Sequence, residues 1–103
     1  MLSQSFGYTT PYFSYPLIAA QGGYAYKKVN GGYDVKDTGV NNAGAKAGMQ
    51  FISDLITKGY MEKGADYGVM EAQFTKGKAA CIINGPWGWP NYDGAKVDFS
   101  VYK

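Results

Sequence analysis

The stretch AACIINGPWGW, residues 79–89, carries the strongest fold signal in the chain. Its first five residues form a continuous apolar run, which predicts a β-strand covered on both faces by helices. The Asn-Gly-Pro tripeptide that follows ends this strand sharply. A short helix is expected over residues 86–92, and a second strand over residues 97–102. The stretch therefore predicts an α/β fold, with the side chains after residue 83 at the carboxyl edge of the sheet.

The chain before this stretch is predicted to form helices and one hairpin. Helices are expected from Pro11 to Gln21, from Asn41 or Asn42 to about Lys58, and from Asp66 to about Lys76. Thr10, Asn41 or Asn42, and Asp66 are residue types that favour helix N-caps. Alternating residues at 24–27 and 33–36 flank Asn30-Gly31-Gly32, a sequence typical of tight hairpin turns.

The middle helix is expected to be amphipathic. Its apolar stripe is formed by Gly44, Gly48, Phe51, Ile52, Leu55 and Ile56, at helical spacing. The small residues over 43–48 let its first half approach another element closely. A small sheet of two core strands and one hairpin is incomplete for the number of helices, and its last strand continues to Lys103. We therefore expect residues 1–103 to be a single partial domain.

The composition excludes several functional classes. Aromatic residues make up 17% of the chain, and charged residues also only 17%. All ten cations are scattered Lys residues, which is atypical of nucleic-acid binding, where Arg is favoured. There is no His, and the single Cys81 is expected to lie buried in its strand, so we expect no metal, no cofactor and no catalytic thiol. The carboxylates, Glu71 among them, show no pairing and are interpreted as solvated surface acids, which argues against an enzyme.

The two indoles are the candidate binding residues. Trp87 and Trp89 follow the end of a predicted strand, where ligands bind in open α/β sheets. At a spacing of two residues on a helix they cannot share a face. Core packing is the more common role of a single Trp, but with two of them one can pack while the other faces a ligand; we expect Trp87 to face a cleft and Trp89 to pack.

Five segments resemble one known family. They are AQFTKGKAACIINGPW (72–87), PYFSYPLIAA (11–20), GGYAY (22–26), NAGAKAG (42–48) and DY (66–67). Together they resemble the maltose/maltodextrin-binding proteins, which are periplasmic solute-binding components of ABC importers. The similarity extends without apparent gaps over about Phe6–Val101.

The resemblance implies a fold and a site. The family folds as two α/β lobes of the periplasmic binding protein type II class around a hinge, and this chain resembles only the central part of the C-terminal lobe. By position, Tyr12 and Trp87 match residues that stack on or line glucose rings, and Tyr67 matches one that hydrogen-bonds the sugar. Pro11 matches the cleft floor. Thr10 stands where the family pattern has a carboxylate, and the loss of a charge-assisted bond there costs about 1 kcal/mol.

The implied function is maltose or maltodextrin binding for import, with the importer's membrane subunits as partners. Because this chain holds half a site, its sugar affinity is expected to be about millimolar or weaker. The alternative is a gene fragment that folds by self-association and binds no sugar; in either case we expect a homodimer or higher oligomer. A glycosidase is disfavoured because no acid pair can be nominated. Met1–Gln4 does not begin a signal peptide, so we expect a periplasmic parent family but a cytoplasmic location for the chain expressed as it stands.

Overall fold

A computed structural model describes residues 1–102 of the chain. The strands are β1 (Leu2–Ser5), β2 (Lys27–Val29), β3 (Gly32–Asp34) and β4 (Ala79–Ile82), and the α-helices are α1 (Pro11–Ala20), α2 (Ala43–Thr57), α3 (Tyr67–Thr75) and α4 (Trp89–Gly94). A 3-10 turn, Pro86–Gly88, leads into α4. The prediction of a mixed α/β fold with helices beside small sheets and a hairpin is confirmed. Among the described residues, no helix is long and apolar enough to cross a membrane.

The main sheet is formed by the first and last strands. β1 and β4 run parallel, with Leu2 opposite Ala79 and Ser5 opposite Ile82. β1 is not predicted by the sequence pattern. The prediction of a strand over residues 97–102 is wrong, because this stretch has no regular structure. Its central aromatic residue, Phe99, packs on the rings of α4 instead of extending a sheet.

The prediction that β4 is covered on both faces is also wrong. Ala79 is buried, whereas Ala80 and Cys81 are exposed. Within residues 1–102, α3 is the helix that packs extensively on β4, and it also contacts β1. The thiol of Cys81 therefore reaches solvent and lies 3.1 Å from the carbonyl oxygen of Ser3.

The core is formed by side chains of α1, α2 and α3 together with residues that follow β1 and α2. It is formed by Phe6, Phe13, Ile52, Leu55, Met61 and Met70. The expected stripe of α2 is confirmed at Ile52 and Leu55, but Phe51 is 48% exposed because it lies outside this contact. The close approach of α2 is also confirmed: a Cβ atom at Gly48 would lie 2.7 Å from the Cα atom of Ile18 on α1.

Two of the three predicted caps form as expected. Asn42 caps α2 and Asp66 caps α3; each side-chain oxygen accepts from a backbone N–H three residues later, at 2.8 Å. Thr10 occupies the N-cap position of α1, but its side chain makes no capping bond. The Thr10 carbonyl accepts the N–H groups of Phe13 and Ser14 instead, at 3.0 and 3.3 Å. Pro11, at the first position of α1, has no N–H to cap.

The hairpin is present, but its strands are shorter and shifted toward the turn. β2 and β3 pair antiparallel from Lys27 opposite Asp34 to Val29 opposite Gly32. Gly31, in the turn, has a φ of +84°, a conformation that favours glycine. Tyr24, expected in the first strand, instead donates a hydrogen bond to Asp37 at 2.8 Å, and this bond raises the pKa of its hydroxyl.

Candidate functional site

Four aromatic rings form a continuous row. Trp87 lies 6.1 Å from Tyr12 between ring centroids, and the Tyr12 ring lies 5.2 Å from that of Phe13. Phe13 in turn lies 5.9 Å from Tyr67. Trp87 and Tyr12 are 54% and 66% exposed, whereas Phe13 is buried. We call these four residues the aromatic row; its outer end presents ring surface to solvent.

The parallel sheet explains why the row assembles. The chain leaves β1 toward α1, which carries Tyr12, and leaves β4 toward the 3-10 turn, which carries Trp87. Because the strands are parallel, both connections begin at the same edge of the sheet. Gly7 allows the start of α3 to come close: a Cβ atom there would lie 3.1 Å from the backbone nitrogen of Tyr67.

The orientation of Trp87 depends on Gly85. The six-membered ring of the indole lies against Gly85, at a position that a Cβ atom on that residue would overlap. The Asn-Gly-Pro tripeptide thus ends β4 and also leaves space for the indole.

A group of hydrogen-bonded side chains lies beside the row. Tyr67 donates its hydroxyl proton to Glu71 Oε1 at 2.8 Å, and Asn91 Nδ2 donates to Glu71 Oε2 at 3.2 Å. Asn84 Nδ2 contacts Tyr67 Oη at 3.3 Å and Glu71 Oε1 at 3.4 Å, and it also donates to the hydroxyl of Tyr92. We call these five residues the polar network. It places hydrogen-bonding groups next to exposed ring faces.

Tyr92 is the buried member of the network. Burial raises the pKa of its hydroxyl, the hydrogen bond from Asn84 acts in the opposite direction, and the negative charge of Glu71 adds to the increase. Tyr92 therefore stays protonated at neutral pH and contributes no charge to the site.

The structure brings together three of the five nominated site residues. Tyr12, Trp87 and Tyr67 belong to the aromatic row. Pro11 and Thr10 precede Tyr12 in the chain and are exposed, and neither takes part in the hydrogen bonds of the polar network. Trp89 lies apart from the row, 6.5 Å from Phe99, and is still 43% exposed, so its packing is partial.

Much of the polar network could not be recognised from the sequence. The interpretation of Glu71 as a solvated acid is wrong, because its carboxylate is half-buried and accepts from Tyr67, Asn84 and Asn91. The one available signal was the four-residue spacing of Tyr67 and Glu71, which places them on one face of a helix. The sequence indicates Asn84 only as a strand terminator, and nothing in it marks Asn91.

The bacterial extracellular solute-binding protein family matches the chain over residues 2–103. The chain belongs to this family. Among its relatives are two proteins of Bacillus subtilis (strain 168). A maltodextrin-binding protein is 35% identical over 98 residues, covering 91% of this chain and 23% of the relative. A galactooligosaccharide-binding protein is 33% identical over 97 residues, covering 89% of this chain and 23% of the relative.

A third relative, a maltooligosaccharide ABC transporter solute-binding lipoprotein of Streptococcus pneumoniae (strain ATCC BAA-255 / R6), is 33% identical over 97 residues. That alignment covers 91% of this chain and 22% of the lipoprotein. The chain thus spans less than a quarter of the length of these solute-binding proteins. The resemblance stated from the sequence is confirmed, and the relatives are named as binding proteins, not as enzymes.

Proposed function

We propose that this solute-binding chain carries one side of a maltodextrin-binding surface that serves ABC-type import. The observation that carries the proposal is the aromatic row, whose exposed Trp87 and Tyr12 adjoin the polar network. Ring faces suit the apolar C–H faces of pyranose rings, and neighbouring polar groups suit sugar hydroxyls. Both kinds of group occur at the carboxyl edge of the sheet.

Each nominated residue has a role in this proposal. Trp87 and Tyr12 stack on glucose rings, and Tyr67 hydrogen-bonds a sugar hydroxyl. Pro11 forms part of the floor beside Tyr12. Thr10 has a hydroxyl that is not used in capping α1, so it is available to a ligand.

The chain corresponds, in this proposal, to the central part of the C-terminal lobe of a two-lobed protein. Relatives are more than four times longer, so an opposing lobe has room in them to supply further contacts. In the whole protein, closure of the lobes captures the sugar outside the cytoplasm, and the importer's membrane subunits receive it. For this chain alone we expect an affinity of about 1 mM or weaker.

Nuclear magnetic resonance tests the proposal, because it detects such weak binding. Each Trp contributes one indole N–H signal, assigned with the variants Trp87→Ala and Trp89→Ala. During titration with maltotriose to tens of millimolar, we expect the Trp87 signal to shift and saturate and that of Trp89 to move little. Trp87→Ala should abolish the shift of the Tyr12 ring signals during the titration, whereas Trp89→Ala should retain that shift. If neither indole responds, the chain has no competent sugar surface, and self-association without sugar binding becomes the better description.

A further inference from the structure

The hydroxyl of Tyr67 has a fixed hydrogen-bond polarity. A tyrosine hydroxyl carries one proton and can accept through its lone pairs. Tyr67 directs that proton to Glu71 Oε1 at 2.8 Å, and both residues lie on one face of α3. A carboxylate oxygen has no proton to return, so Tyr67 is the donor in this pair.

Asn84 fixes the other side of the same hydroxyl. Its Oδ1 accepts the backbone N–H of Gly85 at 2.9 Å, which orients the amide. Its Nδ2 is therefore the donor end of the amide: one proton goes to the Tyr92 hydroxyl, and the other is directed at Tyr67 Oη, at 3.3 Å. The proton and one lone pair of the Tyr67 hydroxyl are thus engaged. The second lone pair remains for a ligand, and it can only accept a hydrogen bond.

The carboxylate of Glu71 is itself restrained by hydrogen bonds. Asn91 donates to Oε2 at 3.2 Å and Asn84 approaches Oε1 at 3.4 Å, so amide N–H groups contact both carboxylate oxygens. These contacts restrain the carboxylate as it accepts the proton of Tyr67. The hydrogen-bond polarity of the Tyr67 hydroxyl is therefore set by Glu71 of α3, by Asn91 of α4 and by Asn84, which lies two residues after β4.

We propose that Glu71 is a positioning residue that makes Tyr67 an obligatory acceptor, so that the site selects a sugar hydroxyl able to donate. This inference rests on the proposed function and specifies the ligand group that Tyr67 recognises. Fluorine, a methoxy oxygen or a carboxylate at the same sugar position cannot donate, and a carboxylate would also meet the charge of Glu71. The ligand class is thus a neutral glycan with a free hydroxyl at that position.

The test uses maltose and a panel of maltoses in which one hydroxyl at a time is replaced by fluorine. Binding to the 103-residue chain is followed through the Trp87 indole signal. One member of the panel should bind about fivefold more weakly than maltose, the effect of one lost hydrogen bond. In Tyr67→Phe, which keeps the ring, this difference between the analogue and maltose should disappear.

The variant Glu71→Gln distinguishes positioning from simple structural support. An amide can donate to Tyr67 and free the phenolic proton for the ligand. The ratio of the two dissociation constants, that of the fluorinated analogue to that of maltose, should therefore fall from about five toward one. A purely structural role would weaken all the sugars by the same factor and leave the fivefold ratio unchanged, which would overturn the inference. Asp93→Asn removes the same charge from an exposed position of α4 and should leave the ratio unchanged.

The two hypotheses fail in different ways. If the chain binds maltose but no analogue shows a penalty that depends on Tyr67, the assignment of Glu71 is wrong and the proposed function stands. If the chain binds no maltose at all, the site itself is wrong and the assignment of Glu71 fails with it.

Discussion

The Trp87 indole rests on a residue that has no side chain. Gly85 is needed here for space: a Cβ atom would overlap the six-membered ring of the indole. The nearest atoms belong to an exposed side chain, which can rotate away at little cost to the fold. Gly85 therefore contributes more to the placement of the ring than to stability.

Gly85→Ala should displace the indole and weaken maltotriose binding about fivefold, which corresponds to about 1 kcal/mol of aromatic contact. The folded state should be retained, as shown by an unchanged thermal midpoint within a few degrees. Gly94→Ala is the matched control, since a Cβ atom there meets nothing within 4 Å. Equal sugar affinity in the Gly85→Ala and Gly94→Ala variants, measured by indole shifts, would contradict this role of Gly85.

Residues of the site differ in how far the sequence could reveal them. Trp87 is nominated by its chemistry and by its place after a predicted strand, whereas Tyr12 is nominated by the family resemblance; the structure sets their rings side by side. Glu71 could not be nominated in this way. Its role depends on Asn84 and Asn91, which lie 13 and 20 residues further along the chain and come near it only after β4 and α4 have formed.

The contact between α1 and α2 depends on small residues. Gly48 is buried in α2, and a Cβ atom on it would lie 2.7 Å from the Cα atom and 3.0 Å from the nitrogen of Ile18. These are backbone atoms, so no side chain can rotate away to make room. Any substitution at Gly48 must separate the two helices.

We expect Gly48→Ala to lower the free energy of unfolding by about 1–3 kcal/mol, the usual cost of overpacking. Alanine otherwise favours a helix, so the loss must come from the contact with α1. Gly68→Ala in α3 is the control: its nearest neighbour is Asp66 Oδ1 at 3.5 Å, and we expect it to be neutral or stabilising by up to about 1 kcal/mol. Urea denaturation measures both, and equal effects would refute the packing explanation.

The helices were more predictable than the strands, for a physical reason. α2 and α3 are defined by local signals, namely Asn42 or Asp66 at the start and a glycine after the end. β1 has the short polar sequence LSQS and exists because Leu2 lies opposite Ala79, far along the chain. Residues 97–102 alternate as a strand does, but alternation alone does not supply a pairing partner.

At the scale of the whole molecule, β4 has one paired edge. It pairs with β1, and no other strand among residues 1–102 lies beside it. A groove of about 550 Å³ separates β4 from residues 98–102, with Trp89, Phe99 and Val101 in its wall. Ile83, directly after β4, is 41% exposed and Val101 is 67% exposed. An unpaired strand edge beside apolar side chains is a template for another strand.

A second copy of the chain offers the same edge, and a two-fold axis would pair the two β4 strands antiparallel. Light scattering should therefore give a mass about twice the 11.2 kDa of one chain. Ile83→Lys places a charge at this edge and should restore the monomer, because a buried unpaired ammonium is costly. Val35→Lys, at a side chain that is 70% exposed just after β3, should leave the dimer intact.

A wild-type chain that stays at 11.2 kDa at high concentration would show that this edge does not pair. A dimer that persists in Ile83→Lys would place the interface elsewhere.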